Sequence, residues 1–338
     1  MSETPGAAGG APHARPSAPA GRHRPGPGVA LAVVGWAWAL AMLISARVTI
    51  TGRTEAEMEV TSTAYALPGA VSACLVAGAA AALLALGLFR RRGRTLGPAA
   101  RIAVSTAAGL LTGLLAALLM ITINTEGWLY AVVGGTLAAA GTIGGAIAGV
   151  RLPRIVAAAC WAALAGFVVG FGLNLFQYPL LRLFGADGDQ ASQADAVGWF
   201  AFTQSVVAGL AAGLVAYAAM RRSHRDEPGT GAPWPQYALA GAGTGILLLV
   251  AEVLARTAGA RVIDLAGRVS AVELLAQDVL SGARLNHALI VTFIGAITAI
   301  VALGRSLPSP ADTATDPAPA PDPVPATDPA PVTDPAPR

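Results

Sequence analysis

Long apolar runs alternate with short polar segments along most of this chain. Each run could cross the roughly 30 Å hydrocarbon core of a bilayer as a helix that rises about 1.5 Å per residue. The pattern predicts an all-α fold: a polytopic transmembrane helical bundle of about eight spans. The predicted spans are residues 29–50, 66–89, 102–123, 128–150, 155–176, 197–220, 235–255 and 285–303.

The first run resembles a secretory signal peptide in position but not in detail. Its apolar core exceeds the usual 7–15 residues, and no clear small-x-small cleavage site follows it. We therefore expect residues 29–50 to be retained as the first span.

A patterned polar stretch separates the last two runs. Apolar residues such as Val262, Leu265, Val272 and Val279 recur there at helical spacing, with charged residues largely off that stripe. This pattern predicts an amphipathic helix at residues 261–284, lying on the outer surface of the bilayer. It would either cap the bundle or act as a lid over a site.

Both ends of the chain lack apolar periodicity. Residues 1–28 combine Pro, Gly and Ala with arginines, and residues 306–338 are rich in Pro, Ala and Asp. These compositions predict disordered tails, the first basic and the second acidic and extended. The second tail is either a solvated tether or a docking segment for a protein partner.

Composition supports a membrane protein. The chain is 54% hydrophobic and only 12% charged, with a mean hydropathy of +0.60, whereas about a quarter of the residues in a soluble domain are charged. All 22 basic residues are arginine, which indicates GC-rich codon usage and a bacterial plasma membrane. The lack of lysine excludes Walker A loops, Schiff bases and Ser-Lys dyads.

Arginine placement predicts the orientation. Most arginines lie in the first tail and in the connections after the second, fourth and sixth spans, so both termini are expected in the cytoplasm. The loop after span seven departs from this trend, because it carries Arg256, Arg261, Arg268 and Arg284. Each even-numbered span is followed closely by Arg, at Arg90, Arg151, Arg221 and Arg305. This suggests four helical hairpins, but the positive-inside rule alone would give the same pattern, and no duplicated fold is predicted.

Several polar residues fall at one level, near the outer edge of the hydrocarbon core. Glu252 is the one carboxylate inside an apolar run, and Arg256 follows it at i,i+4, where the two could simply pair and reach water. The alternative is an outward-facing polar pocket under the amphipathic helix, because an ionisable group near the membrane interior is costly. The candidate residues are Arg47, Asn174, Gln204, Glu252, Arg256, Asn286 and His287.

Gly-x-x-x-Gly pairs mark several spans as close-packing helices. Residues four apart share a helix face, so paired glycines form grooves where backbones approach. The predicted packing residues are Gly141, Gly145, Gly149, Gly166, Gly170, Gly209 and Gly213. Three of them lie in register in the fourth span, which is therefore the candidate for the most buried helix. Packing within one chain and a homo-oligomer face both fit these pairs.

No catalytic or metal-binding motif is found. The four histidines are scattered, and Cys74 and Cys160 lie inside apolar spans as packing residues. Motifs of zinc, serine and aspartyl intramembrane proteases are missing. We expect no enzyme activity, metal, cofactor or nucleic-acid partner; the expected partner is the lipid bilayer.

Two classes of function remain. The first is a transporter- or permease-like protein that handles a small solute or lipid from the outer leaflet. The second is a non-catalytic scaffold or accessory subunit that acts through its tails or packing faces. Transport predicts a polar, water-accessible cavity in the bundle, whereas a scaffold predicts a dry interior packed by Gly and Ala.

Overall fold

The computed structural model of the protein describes residues 27–51, 56–122, 128–186, 189–225, 233–269 and 271–306. The predicted tails therefore lie outside the described residues, apart from residues 27, 28 and 306. Within the described part the chain is 92% helical and contains no strand. The helices are α1 (Pro27–Thr51), α2 (Ala56–Arg91), α3 (Pro98–Ile121), α4 (Trp128–Gly149), α5 (Pro153–Leu175), α6 (Gln177–Leu183), α7 (Gln190–Arg225), α8 (Trp234–Thr257), α9 (Ala260–Val269) and α10 (Ala271–Gly304).

Eight of these helices are long and apolar enough to cross a membrane: α1 to α5, α7, α8 and α10. The prediction of an all-α polytopic bundle with eight spans is confirmed, and the chain is an integral membrane protein. Helices α2 and α7 each have 36 residues, so they extend well beyond the apolar runs from which they were predicted. We call the end of the bundle where α8 finishes and α10 begins the Glu252 end.

The predicted surface helix at residues 261–284 is divided differently in the structure. Residues Ala260–Val269 form the separate helix α9, whereas Ala271 begins α10, which continues without interruption into the last span. The apolar stripe had suggested one helix distinct from that span. No proline lies between residues 271 and 304, so nothing in the sequence forces α10 to start at the hydrocarbon boundary.

Local signals account for several helix ends. Proline occupies the first turn of α3, α5 and α8, where its missing N–H costs no intrahelical hydrogen bond. Helix α2 ends at Arg91 and is followed by Gly93, whose φ of 70° is in the left-handed region. There Gly93 N donates to Arg90 O at 3.1 Å and Arg94 N donates to Phe89 O at 3.2 Å. This pair of bonds is a Schellman motif.

The spanning helices form two four-helix halves with similar neighbour relationships, although α5 packs on α8 more extensively than α1 packs on α3. In the first half, α1 packs on α2, α2 on α3, and α4 on both α2 and α3. In the second half, α5 packs on α7, α7 on α8, and α10 on both α7 and α8. Four spans separate corresponding helices, so corresponding helices run in the same direction, as they do in proteins built from parallel repeats. This similarity between the halves was not predicted from the sequence.

Glycine contacts hold the centre of each half. A Cβ on Gly141 of α4 would lie 2.6 Å from the carbonyl oxygen of Gly109 on α3, and a Cβ on Gly78 of α2 would collide with Gly141. In the second half, a Cβ on Gly213 of α7 would lie 2.6 Å from the carbonyl oxygen of Gly295 on α10, which also touches Gly241 of α8. We call Gly78–Gly109–Gly141 the first glycine contact and Gly213–Gly241–Gly295 the second.

The prediction that the fourth span is the most buried is wrong. In the apolar segment of α4, 50% of the residues are buried, compared with 61% in the apolar segment of α2. Helix α2 packs against α1, α3 and α4 within its own half and also against α5, α8 and α9. It therefore occupies the junction between the halves, which its sequence pattern does not reveal.

Candidate functional site: a cavity between the two halves

A partly open cavity of about 290 Å³ lies at this junction. Its walls come from α1 and α2 of the first half and from α5, α7, α8 and α10 of the second. Most of the lining is apolar, including Met42, Val76, Phe171, Leu247 and Leu248. Pockets that hold small molecules are usually roughly 300–1,000 Å³, so this one lies just below the lower end of that range.

Aromatic stacking shapes one wall. The rings of Trp38 on α1 and Phe167 on α5 are stacked, with their centroids 4.9 Å apart and an interplanar angle of 24°. Both residues line the cavity. The stack thus joins the two halves directly at the cavity wall.

Three of the predicted pocket residues, Asn174, Gln204 and His287, line the cavity. Asn174 is exposed. The amide nitrogen of Gln204 donates to the carbonyl oxygen of Gly170 at 3.3 Å, a long hydrogen bond that a polar ligand could replace. These residues belong to α5, α7 and α10, so the fold brings together groups far apart in the sequence.

Ser205 holds the imidazole of His287. Its Oγ lies 2.7 Å from His287 Nδ1 and also 2.7 Å from the carbonyl oxygen of Ala201. Ser205 itself is buried and does not line the cavity, whereas His287 does. The serine therefore positions the ring rather than meeting a ligand.

Two polar atoms in the cavity walls have no hydrogen-bond partner within the described part of the chain. They are Nε1 of Trp38 and Oγ1 of Thr244. Thr244 is only 3% exposed. Elsewhere, helical threonines such as Thr112 and Thr136 donate to the carbonyl four residues earlier, which Thr244 does not. Unpaired buried polar groups cost free energy, so these atoms are a feature that packing alone does not explain.

Gly166 and Gly170 differ from the packing role predicted for them. A Cβ on Gly166 would meet only Thr244 Cγ2 at 3.6 Å, and one on Gly170 only Gln204 Nε2 at 3.5 Å. These are ordinary contacts, and both glycines line the cavity. Because these two glycines have no side chains, they leave space in the cavity; they do not bring two helix backbones into close contact. By contrast, Gly141, Gly145, Gly149, Gly209 and Gly213 all lie at close helix contacts.

An ion cluster of Glu252, Arg256 and Arg284 lies near the cavity at the Glu252 end. Glu252 is 4% exposed, and its two carboxylate oxygens accept separate hydrogen bonds. Arg256 Nε donates to Oε1 at 2.9 Å, and Arg284 Nε donates to Oε2 at 2.8 Å. Both bonds are charge-assisted, which offsets the cost of burying the carboxylate.

The remaining predicted residues lie elsewhere. Arg47 on α1 donates to the carbonyl oxygen of Leu119 at 3.0 Å and to Thr122 Oγ1 at 2.9 Å, at the end of α3. Asn286 is exposed. Neither these two nor Glu252 and Arg256 line the cavity. The single polar pocket of the sequence-based hypothesis is thus separated into a cavity, an ion cluster and a bond from α1 to α3.

Several participants could not be predicted from the sequence. Arg284 is there one of several loop arginines, and nothing distinguishes Ser205, Trp38 or Thr244. A further carboxylate in a spanning helix, Glu59 of α2, accepts a hydrogen bond from the phenol of Tyr130 on α4. All of these depend on contacts between helices, for which the sequence carries no local signal.

Comparisons with known proteins give no further guide. No family model, curated protein or solved structure matches this chain. Within the described residues, no three His, Cys, Asp or Glu side chains could together hold a metal ion.

Proposed function

We propose that the protein binds a small, largely apolar molecule in the cavity between its two halves and moves it across the membrane, as a transporter or permease does. The observation that carries this proposal is the position of the cavity at the junction of two similarly connected halves. Transporters built from repeats commonly bind their substrates at the repeat interface, where relative movement of the halves changes access.

The wall chemistry supports the same function. Phe167, Phe171, Leu247 and Leu248 offer a surface for an apolar substrate, and Asn174, Gln204 and His287 supply polar contacts. A mostly apolar pocket with a few polar groups is typical of small-molecule sites. Gly166 keeps the space open, because its wall has room for a side chain that the sequence does not place there.

The distribution of arginines supports an orientation with both termini in the cytoplasm. The Glu252 end then faces outward, and the cavity would receive its substrate from the outer leaflet of a bacterial plasma membrane. The cytoplasmic ends would carry the tails, of which the second could also dock a protein partner.

Cavity-filling substitutions test the proposal. The full chain would be reconstituted in phosphatidylcholine nanodiscs with a diazirine-bearing fatty acid, irradiated, and mapped by mass spectrometry. Crosslinks to the α5 peptide that contains Phe167 and Phe171 are expected, and Gly166→Leu should abolish them by filling the cavity. The control is Gly172→Leu on the same helix, because Gly172 has open space around it and does not line the cavity.

Transport is then measured as flux of the same fatty acid into proteoliposomes. Gly166→Leu should stop the flux, and Gly172→Leu should leave it intact. Crosslinks confined to lipid-facing surfaces, with both variants behaving like the native protein, would contradict the proposal. A scaffold acting through its tail would instead lose function on deletion of residues 307–338 and be indifferent to Gly166→Leu.

A further inference from the structure

The ion cluster lies one helical turn beyond the cavity wall on two separate helices. On α8, Leu248 lines the cavity and Glu252 follows it at i,i+4. On α10, His287 lines the cavity and Arg284 precedes it by three residues. Residues three and four apart share a helix face, so the charged cluster is adjacent to the apolar cavity along both helices.

This cluster carries an excess positive charge. One carboxylate faces two guanidinium groups, which leaves a net charge of +1. Each arginine uses its Nε atom to bind Glu252, and within the described residues neither terminal Nη pair has another acceptor. The Arg256 and Arg284 side chains are 41% and 29% exposed, so an anion can reach them. Guanidinium groups suit planar recognition of carboxylate or phosphate.

Among the described side chains at this end of the bundle, the other carboxylates do not pair with the cluster; Glu59 of α2 instead accepts a hydrogen bond from Tyr130. Asp264 of α9 and Asp278 of α10 are exposed, and neither pairs with Arg256 or Arg284. Exposed charges are screened by salt and water, so they affect the cluster less than buried Glu252 does.

We propose that the substrate is an anionic single-chain amphiphile, whose carboxylate or phosphate head binds Arg256 and Arg284 while its chain enters the cavity. This inference rests on the proposed function and adds the class of substrate. The apolar walls require a chain, the excess charge requires an acidic head, and the small volume suits one chain. A free anion would bind the arginines but would not occupy the adjoining apolar cavity.

Charge variants of the cluster give opposite expectations. Arg256→Gln leaves the Glu252–Arg284 pair, with no net charge, and should lower the preference for an anionic ligand. Glu252→Gln raises the cluster charge to two and should increase that preference. The control is Arg261→Gln on α9, which changes the overall charge equally but removes an exposed arginine outside the cluster. A purely structural role would not move the preference in two directions.

The experiment compares two diazirine probes with the same chain, a fatty acid and the corresponding neutral monoacylglycerol, in phosphatidylcholine nanodiscs. The readout is the ratio of their crosslinking yields at the α5 peptide. The native protein should favour the anionic probe by about tenfold, which corresponds to about 1.4 kcal/mol. The ratio should approach one in Arg256→Gln, rise in Glu252→Gln, and stay unchanged in Arg261→Gln.

Inorganic phosphate, added at millimolar concentration, separates a lipid head from a free anion. It should not displace the anionic probe; displacement would show that the site takes a free anion and would overturn the inference. Equal labelling of the native protein by both probes would also overturn it and leave the proposed function standing. Labelling by neither probe would refute the proposed function itself. The native protein alone decides these outcomes, even if a variant fails to fold.

Discussion

Arg284 of α10 donates from Nε to Oε2 of Glu252 on α8 at 2.8 Å, across 32 residues of sequence. Glu252 also accepts from Arg256, but that bond stays within α8 at i,i+4. The first bond fastens two helices together at the Glu252 end, whereas the second is local. Their contributions to stability should therefore differ.

We expect Arg284→Gln to destabilise the protein more than Arg256→Gln does. Each variant leaves Glu252 with one arginine, so the difference comes from the arginine that is lost. The bond from Arg284 links two helices and contributes about 2 kcal/mol, whereas Arg256 is more exposed and pairs within its own helix, where such pairs contribute about 0.5 kcal/mol. Thermal unfolding of the detergent-solubilised protein measures both. Arg305→Gln, beyond the far end of α10, is the control. An equal decrease in Tm for the two cluster variants would contradict the assigned roles.

The glycine contacts should not tolerate even one methyl group. Gly141→Ala and Gly295→Ala each place a Cβ against the backbone of a neighbouring helix, so we expect lost monodispersity or a large decrease in Tm. Gly135→Ala and Gly282→Ala lie on the same two helices with open space around them. These controls should be neutral or stabilising by up to about 1 kcal/mol, because alanine favours helix. Size-exclusion chromatography and thermal unfolding are measured for the two contact variants and the two controls. A Gly141→Ala protein that stays monodisperse with an unchanged Tm would contradict the close contact.

Ser205 and His287 should be energetically coupled. Their side chains are 2.7 Å apart, and removing one leaves the other's polar atom without that partner in a buried site. A double-mutant cycle of Ser205→Ala and His287→Ala should give a coupling of about 1 kcal/mol in thermal stability. Ser281→Ala combined with His287→Ala is the matched cycle on α10, and it should show no coupling. Additive effects for Ser205 and His287 would mean that the bond contributes nothing.

Topology can be read by cysteine labelling. Cys74 and Cys160 are fully buried, so neither should react with a membrane-impermeant maleimide. Gln190→Cys and Ser306→Cys introduce thiols at exposed positions separated by α7, α8 and α10. Three spans between them place the thiols on opposite sides, and we expect Ser306→Cys to be protected in intact cells. Labelling of both thiols from outside would refute the span count or the orientation.

Much of the fold could be predicted from the sequence because a membrane span is a local property. A run such as residues 128–150 must be helical and apolar wherever it packs, since lipid offers no hydrogen bonds to the backbone. The eight spans and the all-α class follow from that. The candidate site followed only in part: Gln204 and His287 do share a cavity, but Arg47 pairs with the end of α3.

The same motif had two outcomes that the sequence could not distinguish. Gly141 and Gly145 lie against the backbone of α3, whereas Gly166 and Gly170, with the same spacing, line an open cavity. A Gly-x-x-x-Gly pair creates a groove on its own helix, and the other helices decide whether that groove is filled.

The sequence by itself determined the set of helices and the distribution of charge at their ends. Hydrophobicity, and the residues that start or end helices, act within short stretches of chain. Only the tertiary structure decided that α4 and α10 hold corresponding positions in the two halves, and that Arg284 reaches Glu252. Those relationships depend on which helix faces meet, and packing free energy is shared among residues far apart in the chain. The cavity, which carries the proposed function, is a product of that packing and belongs to no single helix.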